Sequence, residues 1–486
     1  MRDRPMAGGE GMLGRLQNAT TPYLGSPSSR TGVHFAVPDN LPDLLLRASS
    51  KNEVNAAGER KTLEELEGLL THLRNARGPA LVDWLQQIQL NVAILKPKME
   101  NFVLALLRIG WADQDKDVVS AYQEFIVNLV TAQGYYIKPV MKMLVCNMTG
   151  ITDRAAFNDN LSASGEDNNP EKSLESVEKH VFDNTHATIK AILKVAPLAG
   201  QTALLQYTRE CQPYALTPDT HSHTNYIRNI LTIADYMGKG EDGGRIAVLA
   251  VLIERLVQID AHIDKNEGPL EDETEKAQEE IEMDSMEHLN RRNPPYSAAK
   301  ANLDAAMNVM FAYIKYNGTL SEATTDGAKS SKNSQDVAAE SEESDGKVSR
   351  SKKNSASKQL YQDLMKCFES HILPAHGTGH VQFALFYQIS SQSCLIEPFL
   401  CWLWSKFTSP NTPQVLRQAA MGYIASFISR ALCINKATLM IWLKKICAWI
   451  RTYIDQSWSS ASVVSNGQAH GPFYAACQVM KLVQFY

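Results

Sequence analysis

Four residues in the C-terminal third combine types and spacings that could hold a metal ion. They are Cys367, His371, His376 and His380. A structural zinc site requires such ligands to converge tetrahedrally, with each imidazole held in a fixed orientation. The first two lie one turn apart on a predicted helix, but Pro374 and the glycines within 377–379 interrupt the chain before the last. We therefore predict a helix end followed by a turn, and neither a bound metal nor any other cofactor.

Two further patterns bear on phosphate binding and catalysis. Residues 238–244 are rich in glycine, but they lack the Lys-Ser/Thr ending of a phosphate-binding loop, and the carboxylates of Glu241 and Asp242 would repel phosphate. The sequence contains no Gly-x-Ser-x-Gly elbow, and nothing in it marks a nucleophile together with a base. We predict a helix-to-helix turn at 238–244 and a protein that is not an enzyme.

Three serines match the short patterns that protein kinases recognise. Ser26 precedes Pro27, which is a minimal proline-directed site. Ser162 and Ser164 stand just before Glu166 and another acidic residue, the pattern that acidophilic kinases prefer. A phosphate adds about two negative charges and can create or break an arginine contact. Most short matches of this kind are idle, so the pattern alone leaves an unmodified serine as the alternative.

Two arginines lie on a largely apolar helix. Arg417 and Arg430 both fall within a helix predicted over 413–432. An arginine in this setting either pairs with a carboxylate between packed helices or faces a partner protein, and the pattern favours neither. The aromatic helix at 401–407 could also form part of a partner surface, although packing inside the protein is the commoner role for such residues.

The elements that must position these residues are helices. Apolar side chains recur at helical spacing through most of the chain, and a capping box at Thr62–Glu65 marks the start of one such segment. None of the helical stretches shows the sustained period-two alternation of strands. The series of helices is too long for the core of one bundle. The sequence therefore predicts an all-α fold, a HEAT-like α-solenoid of stacked antiparallel helix pairs with acidic and disordered insertions, although no consensus repeats at a fixed period.

Composition divides the chain into segments. Polar stretches cannot bury enough apolar surface to offset a backbone entropy of roughly 1–2 kcal/mol per residue, so we predict them to be disordered. Within the first of them, 41–47 is predicted to form a short helix or docking segment. The predicted order is a disordered N-terminal arm over 1–57, N-terminal helical repeats over 58–149, an acidic Ser-containing loop over 150–174, middle helical repeats over 175–265, an acidic insertion over 266–295, a helix over 296–317, a disordered low-complexity linker over 318–358 and C-terminal helical repeats over 359–486.

The totals narrow the classes of function. A net charge of −5 and a pI near 6.2 argue against a constitutive nucleic-acid binder, which usually has a strongly basic face, so direct DNA contact stays open. The eight cysteines are scattered, mostly within apolar helical patterns, as expected of buried thiols in a reducing compartment. The N-terminus has no secretory signal and no stretch is apolar enough to cross a membrane. We expect a soluble intracellular protein.

Several blocks of the sequence resemble one known family. The segments 371–383, 409–420 and 470–478, in this order and spacing, resemble the TIF-IA family of RNA polymerase I-specific initiation factors. Upstream, 118–147 is similar to the N-terminal repeats of that family. The resemblance implies a HEAT-repeat fold, direct binding to RNA polymerase I and bridging of that enzyme to the promoter-bound selectivity factor at ribosomal DNA. It also implies a location in the nucleus and nucleolus.

The same resemblance implies control by protein kinases. Ser26 resembles the family's proline-directed site, while Ser162 and Ser164 resemble its acidic casein-kinase-type loop. The family's stress-regulated Thr-Pro, which lies beside the polymerase-binding surface, falls near Thr202. Because Ala203 follows here, the resemblance does not extend to proline-directed control at that position.

Two expectations complete the comparison with the family. The family continues beyond the block that ends at Gln478, so we expect a C-terminally shortened chain whose last helix leaves apolar side chains such as Phe473 and Val479 uncovered. The alternative to an initiation factor is a generic HEAT-repeat scaffold, for example a transport adaptor or a phosphatase regulatory subunit.

Overall fold

The computed structural model describes residues 41–49, 68, 70, 73, 78–151, 170–237, 243–264, 294–318, 342–375, 378–459 and 470–483. Within them all regular structure is helical and no strand occurs, which confirms the all-α prediction. The chain divides into two compact units, one of residues 1–213 with 221–229 and the other of residues 214–220 with 230–486. The stacked antiparallel pairs of a HEAT-like solenoid stay a prediction.

The first unit is built from helices. They are α1 (Leu41–Ser49), α2 (Pro79–Leu90), α3 (Glu100–Leu106), α4 (Lys116–Ala132), α5 (Ile137–Cys146), α6 (Pro170–Val195), α7 (Pro197–Glu210) and residues 221–229 of α8 (Thr220–Met237). A proline in the first turn begins α2 and α7, where its missing N–H would have no intrahelical partner. Helix α2 packs on α4, α4 packs on α6, and α5 packs on α7.

An aromatic stack anchors α4. The rings of Trp111 and Tyr122 are fully buried and nearly parallel, with centroids 4.9 Å apart. The Tyr122 hydroxyl donates a hydrogen bond of 3.1 Å to the carbonyl oxygen of Leu106, and burial raises the pKa of Tyr122 far above its ordinary value. Because each such ring removes roughly 150–250 Å² from water, the pair stabilises the packing of α4 on the end of α3.

A buried carboxylate joins α6, α8 and the turn after α5. Glu178 Oε1 accepts a hydrogen bond of 3.0 Å from the backbone N–H of Ile151. Its Oε2 lies 2.8 Å from His221 Nε2 and accepts from Asn225 Nδ2 at 3.0 Å. Gly150, with φ of 84°, brings the backbone against this carboxylate, and a Cβ atom at that position would collide with it. The burial of Glu178 is therefore matched by donors from three directions.

The second unit contains the remaining described helices. They are the C-terminal part of α8, α9 (Gly244–Asp264), α10 (Pro294–Gly318), α11 (Glu342–Cys367), α12 (Phe383–Ser390), α13 (Ile396–Thr408), α14 (Gln414–Arg430), α15 (Lys436–Ser459) and α16 (Gly471–Val483). Helix α9 packs on α10 and α11, and α14 packs on both α13 and α16. A cluster of phenylalanines, Phe368, Phe386, Phe399 and Phe427, meets edge to face in the interior.

The second unit also contains a buried carboxylate. Asp260 on α9 is 0% exposed and accepts hydrogen bonds from the backbone N–H groups of His380 and Val381, at 2.8 and 3.0 Å. Its other oxygen lies 2.7 Å from His380 Nδ1. Asp260 therefore holds the turn that leads into α12, since it satisfies backbone groups that the turn leaves without helical partners.

The structure differs from the predicted disordered linker over 318–358 at its C-terminal end. Helix α11 includes 342–358, which composition assigned to the low-complexity linker, and Ser357 is buried there with its hydroxyl 2.8 Å from Gln392 Nε2. Once the apolar end of α11 is packed, extending a helix backwards adds one hydrogen bond per residue without a new nucleus. Helix α1 lies within the predicted arm of 1–57, where a short helix or docking segment was predicted over 41–47, and it contacts the turns at 92–94 and 97–99.

The structure also differs from the expected domain boundaries and from the expected exposure of the last helix. The division between the compact units falls at 213–230, inside the predicted middle repeats of 175–265, because the polar face of α8 at 221–229 bonds to residues of the first unit. The last helix, α16, was expected to leave Val479 uncovered. That expectation is wrong for Val479, which is buried, and Phe473 is half-buried with its ring stacked 5.1 Å from that of Tyr453.

Candidate interaction surfaces

Helix α7 of the first unit presents Thr202 on an exposed face. Its hydroxyl donates a hydrogen bond of 2.9 Å to the carbonyl oxygen of Leu198, one turn earlier. The Leu198 side chain is 79% exposed, and Val195 at the end of α6 is 47% exposed. A hydroxyl beside large exposed apolar side chains can contact a partner by burial and by hydrogen bonding together.

The opposite side of α7 fixes the position of this face. Ala203, Leu204 and Thr208 are buried. Gly200 lies so close to α6 that a Cβ atom there would come within 3.3 Å of Leu193 Cδ2. The exposed face is therefore carried by a helix held on a packed core, which limits the conformational entropy that binding would cost.

Arg417 in the second unit has a structural role that the sequence did not distinguish. The side chain is half-buried, and Nε donates a hydrogen bond of 2.7 Å to the carbonyl oxygen of Phe407. That carbonyl belongs to the last turn of α13, where main-chain oxygens lack helical partners and carry partial negative charge. Arg417 thus bonds to a helix end and not to a carboxylate. A partner-facing role for Arg417 stays a prediction.

Arg430 lies at an exposed position on the last turn of α14. One guanidinium nitrogen, Nη1, donates to Ser426 Oγ at 2.7 Å, and the group lies 5.9 Å from the ring centroid of Phe383. Arg430 also lines a groove of about 550 Å³ between α14 and α16, together with Gln418, Tyr474 and Gln478. Arg430 is therefore exposed, unlike the half-buried Arg417, and a partner-facing role for it stays a prediction.

The aromatic helix α13 is divided between core and surface. Leu403 and Phe407 are buried, whereas Trp402 and Trp404 are half-buried. Lys406 lies 5.3 Å from the ring centroid of Trp402, and Lys445 lies 5.0 Å from that of Trp404. Cation–π contacts of this kind stabilise exposed rings by about 0.5–1 kcal/mol each. The helix thus contributes Leu403 and Phe407 to the core, and a partner role for its half-buried tryptophans stays a prediction.

The residues of the candidate metal set have separate environments. Burial raises the pKa of the Cys367 thiol to about 12, and its sulfur contacts the carbonyl oxygen of Ile246. His380 is engaged with Asp260. His376 lies outside the described residues, as do the candidate phosphorylation sites Ser26, Ser162 and Ser164. In the described parts of the chain, no three His, Cys, Asp or Glu side chains are grouped to hold a metal.

The sequence carries no local pattern that distinguishes the two buried carboxylates. Glu178 and Asp260 look like ordinary surface acids on amphipathic helices, and their partners lie 27 to 121 residues away in the chain. The one local signal is Gly150, since a glycine after a helix often marks a backbone position that other residues cannot adopt.

The described helices define the class of this molecule as an all-helical protein, with an exposed face of α7 in one unit and a groove lined by Arg430 in the other. The model of the family described as RNA polymerase I specific transcription initiation factor RRN3 matches residues 46–484. The chain belongs to that family, which confirms the resemblance to the TIF-IA factors. The family is one of transcription initiation factors and not of enzymes, as predicted.

Relatives from distant organisms match across most of the chain. The mouse RNA polymerase I-specific transcription initiation factor RRN3 is 26% identical over 444 residues, covering 87% of this chain and 61% of the mouse protein. The fission yeast factor of the same name is 24% identical over 412 residues, covering 82% of this chain and 60% of that protein. The chain thus spans about three fifths of the length of these relatives.

The fold is similar to that of a solved structure. A crystal structure of RNA polymerase I transcription initiation factor Rrn3 superimposes with a TM-score of 0.59 at 14% identity, covering 91% of this chain and 75% of that chain. At this identity the likeness shows a shared fold. Among the described helices, none is both long and apolar enough to cross a membrane.

Proposed function

We propose that this protein is an RNA polymerase I transcription initiation factor, a non-enzymatic adaptor that acts in the nucleus. It binds RNA polymerase I and bridges it to the promoter-bound selectivity factor at ribosomal DNA in the nucleolus. The observation that carries the proposal is the family match over 46–484, which extends through both compact units. Mouse and fission yeast proteins named as RNA polymerase I-specific initiation factors match most of the chain, which supports the same role.

We assign the polymerase contact to the exposed face of α7. The face combines the Thr202 hydroxyl with the exposed side chain of Leu198, on a helix held from behind by Ala203 and Leu204. Exposed apolar area on a rigid element is the usual core of a protein interface. The assignment is also supported by the position of Thr202 beside the polymerase-binding surface that the resemblance implies.

Phosphorylation is proposed to regulate this contact. Ser26 precedes a proline, and Ser162 and Ser164 precede acidic residues in the chain between Ile151 and Pro170. Helix α6 begins at that proline and packs against α7. A phosphate changes binding either by pairing with arginine or by repelling nearby acids.

The test is recovery of RNA polymerase I on the tagged chain, with and without phosphatase treatment, together with nucleolar staining. The proposal predicts that polymerase I subunits are recovered and that phosphatase changes their amount. Recovery of transport receptors or of a phosphatase catalytic subunit, without the polymerase and with diffuse staining, would establish the generic HEAT-repeat scaffold instead. Retained nucleolar staining and polymerase recovery with no phosphatase effect would remove the phosphorylation part alone.

A further inference from the structure

Two cysteine thiols in the first unit lie against each other. Cys146 is the last residue of α5, and Cys211 follows the last residue of α7. Their sulfur atoms are 3.3 Å apart although 65 residues separate them in the chain. Both side chains are half-buried, so a small solute can reach them. The other described cysteines have no such recorded sulfur–sulfur contact with a second cysteine.

The helices that carry the two thiols are packed on each other along their length. Helix α5 contacts α7, and the buried side chains Leu144 and Leu204 belong to the core of the same unit. A disulfide bond requires a sulfur separation near 2.0 Å, so the 3.3 Å in the reduced pair would close by about 1.3 Å. A shift of that size is within the range of side-chain rotation and leaves the helix packing in place.

The local chemistry makes the two sulfurs unequal. The hydrogen bond with Cys211 lowers the pKa of the Cys146 thiol, and the ammonium group of Lys142, one turn earlier on α5, acts in the same direction against the effect of burial. The same hydrogen bond and burial raise the pKa of the Cys211 thiol, and the carboxylate of Glu210 adds to this rise although Lys142 opposes it. Cys146 is therefore the sulfur that reaches the thiolate form first, and the thiolate is the nucleophile.

We propose that Cys146 and Cys211 form a peroxide-responsive thiol pair that closes to an intramolecular disulfide and ties the end of α5 to the end of α7. The Cys146 thiolate attacks one oxygen of hydrogen peroxide, breaks the O–O bond and becomes a sulfenic acid, while the departing hydroxide takes up a proton and leaves as water. Cys211 then attacks the oxidised sulfur, and the sulfenic hydroxyl leaves with the Cys211 proton as a second water. Peroxide is reduced by two electrons and the thiol pair is oxidised by two.

The disulfide would restrain α7, the helix with the exposed face that includes Thr202. It closes a loop of 65 residues between its ends, and a crosslink over such a length restricts the unfolded chain strongly. Because Cys211 directly follows α7, the bond also fixes the C-terminal end of that helix. The inference does not depend on the proposed function, since the pair would form whatever partner α7 binds.

The test is oxidation of the purified full chain with hydrogen peroxide, followed by acid quenching, maleimide alkylation and peptide mass spectrometry without reductant. We expect a peptide pair joined through Cys146 and Cys211, lighter by two hydrogen atoms than the reduced peptides, and loss of maleimide labelling at both positions. Thioredoxin or dithiothreitol should restore both labels.

Three variants serve as controls for this test. Cys146→Ser should abolish the crosslink and leave Cys211 labelled, whereas Cys211→Ser should leave Cys146 as a sulfenic acid that reacts with dimedone. Cys394→Ser removes an exposed thiol elsewhere and should leave the crosslink unchanged. The proposal is overturned if wild-type Cys146 and Cys211 keep their maleimide labels while Cys394 or Cys401 is oxidised, or if either sulfur pairs instead with another cysteine.

Discussion

At the scale of single residues, Thr202 gives the most direct test of the assigned polymerase contact. Thr202→Asp adds a negative charge to the exposed face of α7, next to the apolar side chain of Leu198. Burying that charge against a partner costs desolvation free energy, so we expect polymerase binding to weaken roughly tenfold, which corresponds to about 1.4 kcal/mol. The measurement is recovery of polymerase I at modest salt with increasing amounts of the variant chain.

The matched control for that prediction is Thr202→Ala. Alanine favours the helix and removes only an exposed hydrogen bond to Leu198, so this variant should bind within about twofold of wild type. Equal binding by the aspartate and alanine variants would remove Thr202 from the interface.

Glu178 is the residue whose loss should most affect the stability of the first unit. Glu178→Ala would leave the N–H of Ile151 and the amide of Asn225 without their buried acceptor. Unpaired buried donors cost about 1–3 kcal/mol each, so we expect the free energy of unfolding to fall by roughly 3 kcal/mol. Urea unfolding followed by circular dichroism measures this change.

An exposed glutamate on the same helix supplies the comparison. Glu175→Ala lies less than one turn away on α6 and should change the free energy of unfolding by less than about 0.5 kcal/mol. If the two glutamate variants unfold at the same urea concentration, the hydrogen bonds to Glu178 contribute nothing net to stability.

At the scale of elements, apolar periodicity predicted the helices well and their tertiary partners poorly. The helix expected over 413–432 is α14, because its apolar residues recur at helical spacing within a few turns. The position of Asp260 under the turn before α12 depends on a partner 120 residues away, which no local pattern encodes. Likewise 342–358 has the composition of a linker, and only its continuity with the packed end of α11 explains its helical state.

The turn between α5 and α6 depends on one glycine. Gly150 has φ of 84° and ψ of −163°, a conformation that is essentially restricted to glycine. Gly150→Ala combines this backbone strain with a collision between the new Cβ atom and the Glu178 carboxylate. We expect a loss of roughly 2–4 kcal/mol in the free energy of unfolding, measured by denaturant or thermal unfolding.

The same glycine-to-alanine change at Gly422 is the control, because a Cβ atom there meets no neighbouring atom. Gly422 is exposed within α14, has a helical backbone and would place its Cβ atom in open space. Gly422→Ala should therefore stabilise the protein by about 0.5–1 kcal/mol. A Gly150→Ala variant as stable as Gly422→Ala would contradict the account of the α5–α6 turn.

At the scale of the whole molecule, each compact unit contains a buried polar centre that links distant segments. The centre of the first unit is Glu178, and that of the second is Asp260. Such centres add little net stability compared with apolar burial, but they penalise alternative packings that would leave a carboxylate unpaired. The many amphipathic helices of this chain make that discrimination useful.

The free energy of unfolding should depend on pH through His186, a further buried polar group of the first unit. Burial lowers the pKa of His186 below its ordinary value of 6.5, and its Nε2 lies 3.0 Å from Asn229 Oδ1. As the pH falls below that ordinary value, the unfolded chain binds a proton that the folded unit binds less readily. The free energy of unfolding should therefore fall between about pH 7 and about pH 5.

His186→Gln removes the titrating imidazole and keeps a side-chain N–H that can donate to Asn229 Oδ1. The free energy of unfolding of this variant should change less between the two pH values than that of wild type. Identical slopes for wild type and His186→Gln, in urea titrations at several pH values, would show that His186 contributes no pH dependence.

The close approach of Gly150 to Glu178 has a consequence for how this region can evolve. A residue larger than glycine at position 150 already displaces the carboxylate, so removing Glu178 in that background costs little more. The two positions should thus show strong epistasis: each change is harmful in the parent chain, and the second is nearly neutral after the first. A lineage that lost the glycine would be free to replace the glutamate with an apolar residue, because that second change is nearly neutral.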